Sequence, residues 1–235
     1  MLDTVVAPAT AAGRSALAIV RLSGKDARRI LRSLAPDLPE EIEIRRPRLT
    51  AFVDAEGEAI DTGLATFYAA PASATGEDVA EISIHGSPLG IQRILEAAIR
   101  SGARPARPGE FTERAFRAGK IDLVRAEAVR DLIEARTPAA ARASAGRLVG
   151  LLSASLGRVR DSLMTASAGL AAAIDFSEDT GERVSPAVPE ALHNAIASLT
   201  RLSATAETGP ARYIVRTTGR RRTPRFRGRL RFLFA

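Results

Sequence analysis

Hydrophobic and polar positions change period near residue 120, and that change divides the chain. Before it, short alternating runs predict strands. Ser15 to Leu22 places Leu17, Ile19 and Arg21 on one face and Ala16, Ala18, Val20 and Leu22 on the other. Leu49–Val53 and Gly63–Tyr68 read as two more strands around the turn-rich Asp54-Ala55-Glu56-Gly57. Val79–His85 is a further strand, with Val79, Glu81, Ser83 and His85 sharing a face. One helix is predicted from Lys25 to Ser33. Another opens at Ser87-Pro88, an N-cap followed by a first-turn proline, turns Ile91, Ile94, Leu95 and Ala98 inward and stops at Gly102. Strands separated by helices, with hairpin-like pairs among them, favour an α+β layered sheet over a doubly wound one.

From Ile121 the period is helical. Val124, Ala128, Leu132 and Ala135 form a stripe ending near Thr137-Pro138, itself an N-cap and first-turn pair. A second helix carries Leu148, Leu152, Leu156, Val159, Leu163, Leu170 and Ile174, spacings suited to bundle packing. Asp175 to Pro189 reads as a polar loop. A third helix, about Pro189 to Thr205, shows Leu192, Ile196, Leu199 and Leu202. Three such helices close a bundle poorly, so this half is predicted to be an incomplete all-α domain. The expected division is residues 1–118, 119–211 and an Arg-rich tail, 212–235.

Between the two halves lies the densest chemistry in the chain. Arg107 to Leu123 packs three acids, four cations and two phenylalanines into seventeen residues. Pro108-Gly109 predicts a turn, and Phe111 and Phe116 can anchor it to a core. Loops of this kind carry function on fixed scaffolds.

Charge and composition narrow the classes. The net charge of +7 suggests nucleic acid, but nine arginines and no acid lie between Arg212 and Ala235. The preceding 211 residues hold 25 cations against 27 acids, a balance of −2. The basic character therefore belongs to the tail, read either as an RNA-binding arm or as an unstructured or out-of-frame extension. Lysine occurs only at Lys25 and Lys120, against 32 arginines. Cysteine is absent, which removes disulfides, thiolate metal sites and a Cys nucleophile. Two lone histidines, His85 and His193, make a poor metal site. His85 reads as shaping the turn before Ser87 or lining a cleft. The N-terminus shows no secretion signal, and no run approaches the roughly 20 apolar residues of a membrane span. The expected compartment is the cytoplasm.

Several segments taken together carry a family resemblance. They are Thr4-Val5-Val6-Ala7, Gly13-Arg14, Ile19-Val20-Arg21-Leu22-Ser23-Gly24, Thr75-Gly76-Glu77-Asp78, Glu81 to Gly86 and the Arg107–Leu123 block. With Ala126-Glu127-Ala128, Asp131-Leu132-Ile133 and Ala173-Ile174-Asp175-Phe176, they resemble the N-terminal part of the bacterial tRNA-modification GTPases called MnmE or TrmE. The resemblance runs in order from about residue 3 to about residue 205. It implies an N-terminal domain that binds a one-carbon tetrahydrofolate (5-formyl or 5,10-methylene) and forms a homodimer. A helical domain follows, interrupted in the family by an inserted GTP-binding domain. The implied partners are the flavoprotein MnmG or GidA and tRNA, whose wobble uridine the pair modifies.

By the same resemblance Arg21, Glu81 and Lys120 fall on folate-contacting positions. Their chemistry is compatible with that role. A pterin offers an amino group beside a ring N–H, a donor pair one carboxylate can accept. The folate's glutamate tail suits Arg21 or Lys120, and which cation meets which group stays open. Taken alone, Glu81 fits an ion-paired strand position, Arg21 an aliphatic stem at a core edge, and Lys120 a solvated residue before a helix. No residue is assigned a catalytic role.

The chain departs from the family after Thr205. No Gly-x-x-x-x-Gly-Lys-Ser/Thr string occurs, since Lys25 precedes Asp26 and Lys120 precedes Ile121. Without that loop GTP hydrolysis, and the potassium site that accompanies it, have no seat in these residues. The tail begins about where the GTP domain should start, so a frameshifted or truncated reading frame is expected. Two further readings are a stand-alone folate-dependent one-carbon transferase and an RNA-binding or scaffold protein driven by the tail.

Overall fold

The alternating runs become a six-stranded sheet in the computed structural model, which describes residues 3–175 and 184–207. The strands are β1 (Val5–Pro8), β2 (Ser15–Ser23), β3 (Arg48–Val53), β4 (Ala59–Tyr68), β5 (Val79–Gly86) and β6 (Arg104–Pro105). They lie in the order β3-β4-β5-β2-β1-β6. Neighbours run antiparallel except for the parallel β1·β6 pair. Helices α1 (Ala27–Leu34), α2 (Pro88–Arg100) and α3 (Glu110–Arg117) complete this unit, which extends to Ile121. The expected α+β class followed by a helical part is what the protein adopts.

The two faces of the sheet have different fates. On one, Val20, Leu22, Phe52, Phe67, Ile82 and Ile84 pack under Ile30, Leu31 and Leu34 of α1 and Ile94 and Ala98 of α2. Each of the larger side chains contributes about 1.5–3 kcal/mol by leaving water. Ser87 caps α2 as its sequence predicts, its hydroxyl accepting from the Gly90 N–H. The opposite face is covered near β1, where Phe111 of α3 lies on Val5 and Ala7. Farther across, Leu17, Leu49 and Leu64 stay exposed. The register Leu49↔Leu64↔Ser83↔Ile19 places these leucines in and beside one row across four strands.

Residues 122–207 form a second unit of helices, α4 (Leu123–Ile133), α5 (Pro138–Leu148), α6 (Leu151–Asp175) and α7 (Ala187–Glu207). Thr137 caps α5 through the Ala140 N–H, as read from Thr137-Pro138. α6 and α7 pair along Ala166, Val188 and Ala191. Leu156, Leu163, Leu170, Leu192 and Leu199 remain exposed on that pair. None of the helices among the described residues is long and apolar enough to cross a membrane.

Four sequence readings need correction. β1 and the two-residue β6 were not predicted; both are too short to show a period. Arg107–Leu123 is not merely a connector, since eight of its residues form α3, and its alternation of charge and aromatic hides a helical face. The helix expected from Pro138 to Ile174 is two helices, broken at Gly150, where φ is +89°. A Cβ there would come within 2.1 Å of Arg125 Nη2. α7 begins at Ala187, because Pro189 is accommodated in its first turn and does not mark its start. Most of the polar loop predicted from Asp175, the motif residue Phe176 and the tail from Arg212 lie outside the described residues.

Gly24 closes the turn between β2 and α1 with φ of +135°, and a Cβ would meet Thr4 Cα at 2.7 Å. Both the backbone angle and the space exclude a side chain. Gly24→Ala should lower stability by about 2–4 kcal/mol in urea unfolding. A loss under about 0.5 kcal/mol, the range of an ordinary surface change, would show that the turn adapts.

Candidate functional site

The alternation of β2 and β5 puts Arg21 and Glu81 opposite each other on the sheet face that α1 and α2 leave uncovered. They meet directly. Arg21 Nη2 and Nε donate to the same carboxylate oxygen, Glu81 Oε1, at 2.7 and 2.9 Å. Both side chains are partly buried, 27% and 22% exposed, so the pair is shielded without being sealed from ligand. Among the described residues the other oxygen, Glu81 Oε2, receives only a long contact, 3.4 Å, from the Tyr68 hydroxyl. Burial first, and then the Glu81 charge, raise the Tyr68 pKa, so the phenol stays a proton donor. The Arg21 guanidinium stands 5.7 Å from the Phe111 ring centroid, a cation–π distance. Glu81 therefore offers an under-used acceptor between two aromatic residues.

Lys120 is not part of that pair. It follows α3, its N–H bonded to Ala115 O, and its ammonium donates to Pro71 O at 2.9 Å. Pro71 belongs to the loop 69–78 that joins β4, and hence Tyr68, to β5. The structure thus brings Arg21 and Glu81 into contact and ties Lys120 to the loop beside them.

Behind these residues lies an ion network that the sequence reading missed. Arg114 and Glu110 are each only 3% exposed. One Glu110 carboxylate accepts from Arg104 Nη2 at 2.6 Å, Arg104 Nη1 at 2.9 Å, the Arg107 N–H at 2.8 Å and Arg114 Nη2 at 3.0 Å. Arg114 Nη1 donates to Glu77 Oε2 and Asp3 O, both at 2.8 Å, and to Ser23 O at 3.3 Å. Its Nη2 also reaches Asp3 Oδ1 at 3.1 Å. Glu77 is held in turn by the Ser23 hydroxyl at 2.8 Å, and that hydroxyl bonds Thr75 Oγ1 at 2.7 Å. One guanidinium joins the N-terminal segment, the end of β2, the loop 69–78 and α3. The signal available in sequence was Glu110-x-x-x-Arg114, an i,i+4 pair on one helix face; the distant partners left no local trace.

The surroundings of His85 are simpler. His85 was expected to shape a turn or line a cleft. Its backbone carbonyl does accept from the Ser87 N–H, and its ring Nδ1 lies 2.8 Å from Asp61 Oδ1. Burial works against the Asp61 charge, but bonds from the His85 ring and the Thr62 and His85 N–H groups outweigh it and lower its pKa.

Electrostatics make the network sensitive to acid. Arg104 above all, together with the Arg107 N–H and Arg114, holds the Glu110 carboxyl far below the usual carboxylate range against the opposing cost of burial. A depressed pKa stabilises the fold fully above the unfolded value and loses that contribution as pH falls through the folded one. Breaking a buried pair of this kind costs about 3–5 kcal/mol. Glu110→Gln should therefore destabilise the protein by about 3 kcal/mol at neutral pH. The gap from the parent should narrow as pH falls below about 4. Urea unfolding across pH measures both, and a gap independent of pH would remove Glu110 ionisation from the account.

A family model described as the N-terminus of the GTP-binding protein TrmE matches residues 4–120, and one described as the MnmE helical domain matches residues 123–212. The chain is 44% identical over 208 residues to a tRNA modification GTPase MnmE of Roseiflexus sp. (strain RS-1), covering 88% of this chain and 45% of that protein. It is 45% identical over 208 residues to the protein of the same description in Roseiflexus castenholzii, covering 88% and 44%. A further relative of that description in Akkermansia muciniphila is 43% identical over 208 residues, covering 88% and 46%. The chain thus spans less than half the length of these relatives.

Proposed function

The chain belongs to the MnmE/TrmE family and carries its N-terminal and helical domains, and from that premise we propose that residues 3–121 bind a one-carbon tetrahydrofolate. The observation that carries the proposal is the asymmetric Arg21–Glu81 pair, in which Oε1 takes both arginine donors and Oε2 keeps lone pairs for a ligand. A pterin presents adjacent N–H donors of the kind such an oxygen accepts. Arg21, anchored on Oε1 and packed near Phe111, fixes the orientation of that carboxylate. Lys120 spends one of its three donors on Pro71 O and suits the anionic glutamate tail. Tetrahydrofolate would supply a carbon unit at the formyl or methylene level, and the protein's residues would bind and orient it. The relatives are named as tRNA modification GTPases, and a flavoprotein partner is implied by the family resemblance alone; the part proposed for these 235 residues is folate binding and dimer formation.

Titration of purified protein with 5-formyltetrahydrofolate tests the site. Glu81→Ala should weaken binding roughly 10- to 100-fold, the cost of hydrogen bonds to a charged acceptor. Equal affinity of parent and variant would remove Glu81 from the site.

The exposed row Leu49, Leu64 and Leu17, beside the Arg21–Glu81 pair, supports homodimer formation through the open sheet face. Leucines exposed on neighbouring strands form the apolar surface a second copy would cover. The double substitution Leu49→Glu, Leu64→Glu should shift sedimentation toward monomer, since two like charges would then face a partner. An unchanged dimer would place the interface elsewhere.

A further inference from the structure

Arg114 and Glu77 are absent from the folate-site residues named above, and their geometry gives them a distinct part in that site. We infer that the Arg114–Glu77 pair is the positioning element that sets Lys120, acting through the loop 69–78. This rests on the folate reading for its ligand arm only.

The path is short and made of direct contacts. Arg114 leaves α3 six residues before Lys120 and bonds Glu77 at 2.8 Å. Among the described residues this is the one ion pair between α3 and the loop. Gly76, next to Glu77, presses on the residues that follow α3: a Cβ on it would stand 2.7 Å from Ala118 Cβ and 3.4 Å from Lys120 Cγ. The loop is stiff inside. The Gly76 N–H donates to Ser73 Oγ at 3.0 Å, Ser73 Oγ donates to Glu77 O, and the Ala70 N–H donates to Asp78 Oδ1 at 2.9 Å. At its start, Pro71 supplies the carbonyl that takes the Lys120 ammonium. The loop therefore holds the Lys120 ammonium through Pro71 and lies close beside its aliphatic stem at Gly76, where only a residue without a side chain fits. A movement of Glu77 displaces both seats together.

The residue types fit a positioning task. Arg114 serves three carboxylates and two backbone carbonyls from one planar fork, a set that a lysine's three donors on a single nitrogen could not span. Its Ser23 and Glu77 bonds also fix the end of β2 two residues from Arg21. Glu77 is the member to perturb. Its side chain is 22% exposed, and Arg114 keeps Glu110 and Asp3 when Glu77 is lost, so the fold survives the change.

Lys120 can be watched directly because the chain has only two lysines. Reductive ¹³C-methylation of the full chain labels Lys25, Lys120 and the terminal amine, giving separate NMR signals. In Glu77→Ala the Lys120 signal should shift or broaden more than that of Lys25, which lies two residues beyond Ser23 and reports the loosening of the end of β2 alone. In the titration arm, Glu77→Ala should weaken 5-formyltetrahydrofolate binding about 10-fold in the parent background. In a Lys120→Ala background it should weaken binding less than about 2-fold, because the residue it positions is gone. An unmoved Lys120 signal, or one that moves equally with Lys25, overturns the inference, as does the same fold-loss in both backgrounds. A Lys120 signal that moves in a parent that binds no folate supports the positioning and refutes the folate reading.

Discussion

The burial of one guanidinium, Arg114, is the constraint on which the first unit depends. A charge at 3% exposure is tolerated only when it is paired, and here Asp3, Glu77, Glu110 and two backbone carbonyls meet both terminal nitrogens, leaving only the buried Nε without a partner among the described residues. These partners lie up to 111 residues from Arg114 in sequence. Satisfying Arg114 therefore forces the N-terminal segment, the end of β2, the loop 69–78 and α3 into one arrangement. The apolar core under α1 and α2 supplies the bulk of the stabilisation. The ion network supplies the uniqueness of the opposite side.

That division of labour explains why the candidate ligand residues sit where they do. Two helices seal one face of the sheet, and α3 covers only the edge of the other near β1. The remainder of that face is held rigid by strand pairing but left open, with Arg21, Glu81 and Tyr68 partly buried and a row of leucines beside them. A site on strands is more sharply placed than one on loops. Lys120 is the exception, and its seat is made firm by the stiff loop that Arg114 anchors.

The sequence made the strands of the sheet centre legible, because Ser15–Leu22, Gly63–Tyr68 and Val79–His85 alternate cleanly and pair in register. It also exposed the caps at Ser87 and Thr137, where side-chain chemistry is local. The Arg21–Glu81 contact was half visible: each residue was placed on the correct face, while their direct pairing required the β2–β5 register. What stayed hidden was non-local or too short to show a period. β1 and β6 fall in that class, as does the convergence on Arg114. The break at Gly150 was overlooked for a different reason, since apolar spacing runs on across it while a backbone angle stops the helix.

The most direct test of the account is hydrogen–deuterium exchange of the full chain with and without 5-formyltetrahydrofolate. Slowed exchange is predicted for the loop 69–78, for residues 118–121 and for the strand segments around Arg21 and Glu81, with α4 to α7 unchanged. Protection confined to the helices, or none at saturating ligand, would contradict a folate site on the open face of the sheet.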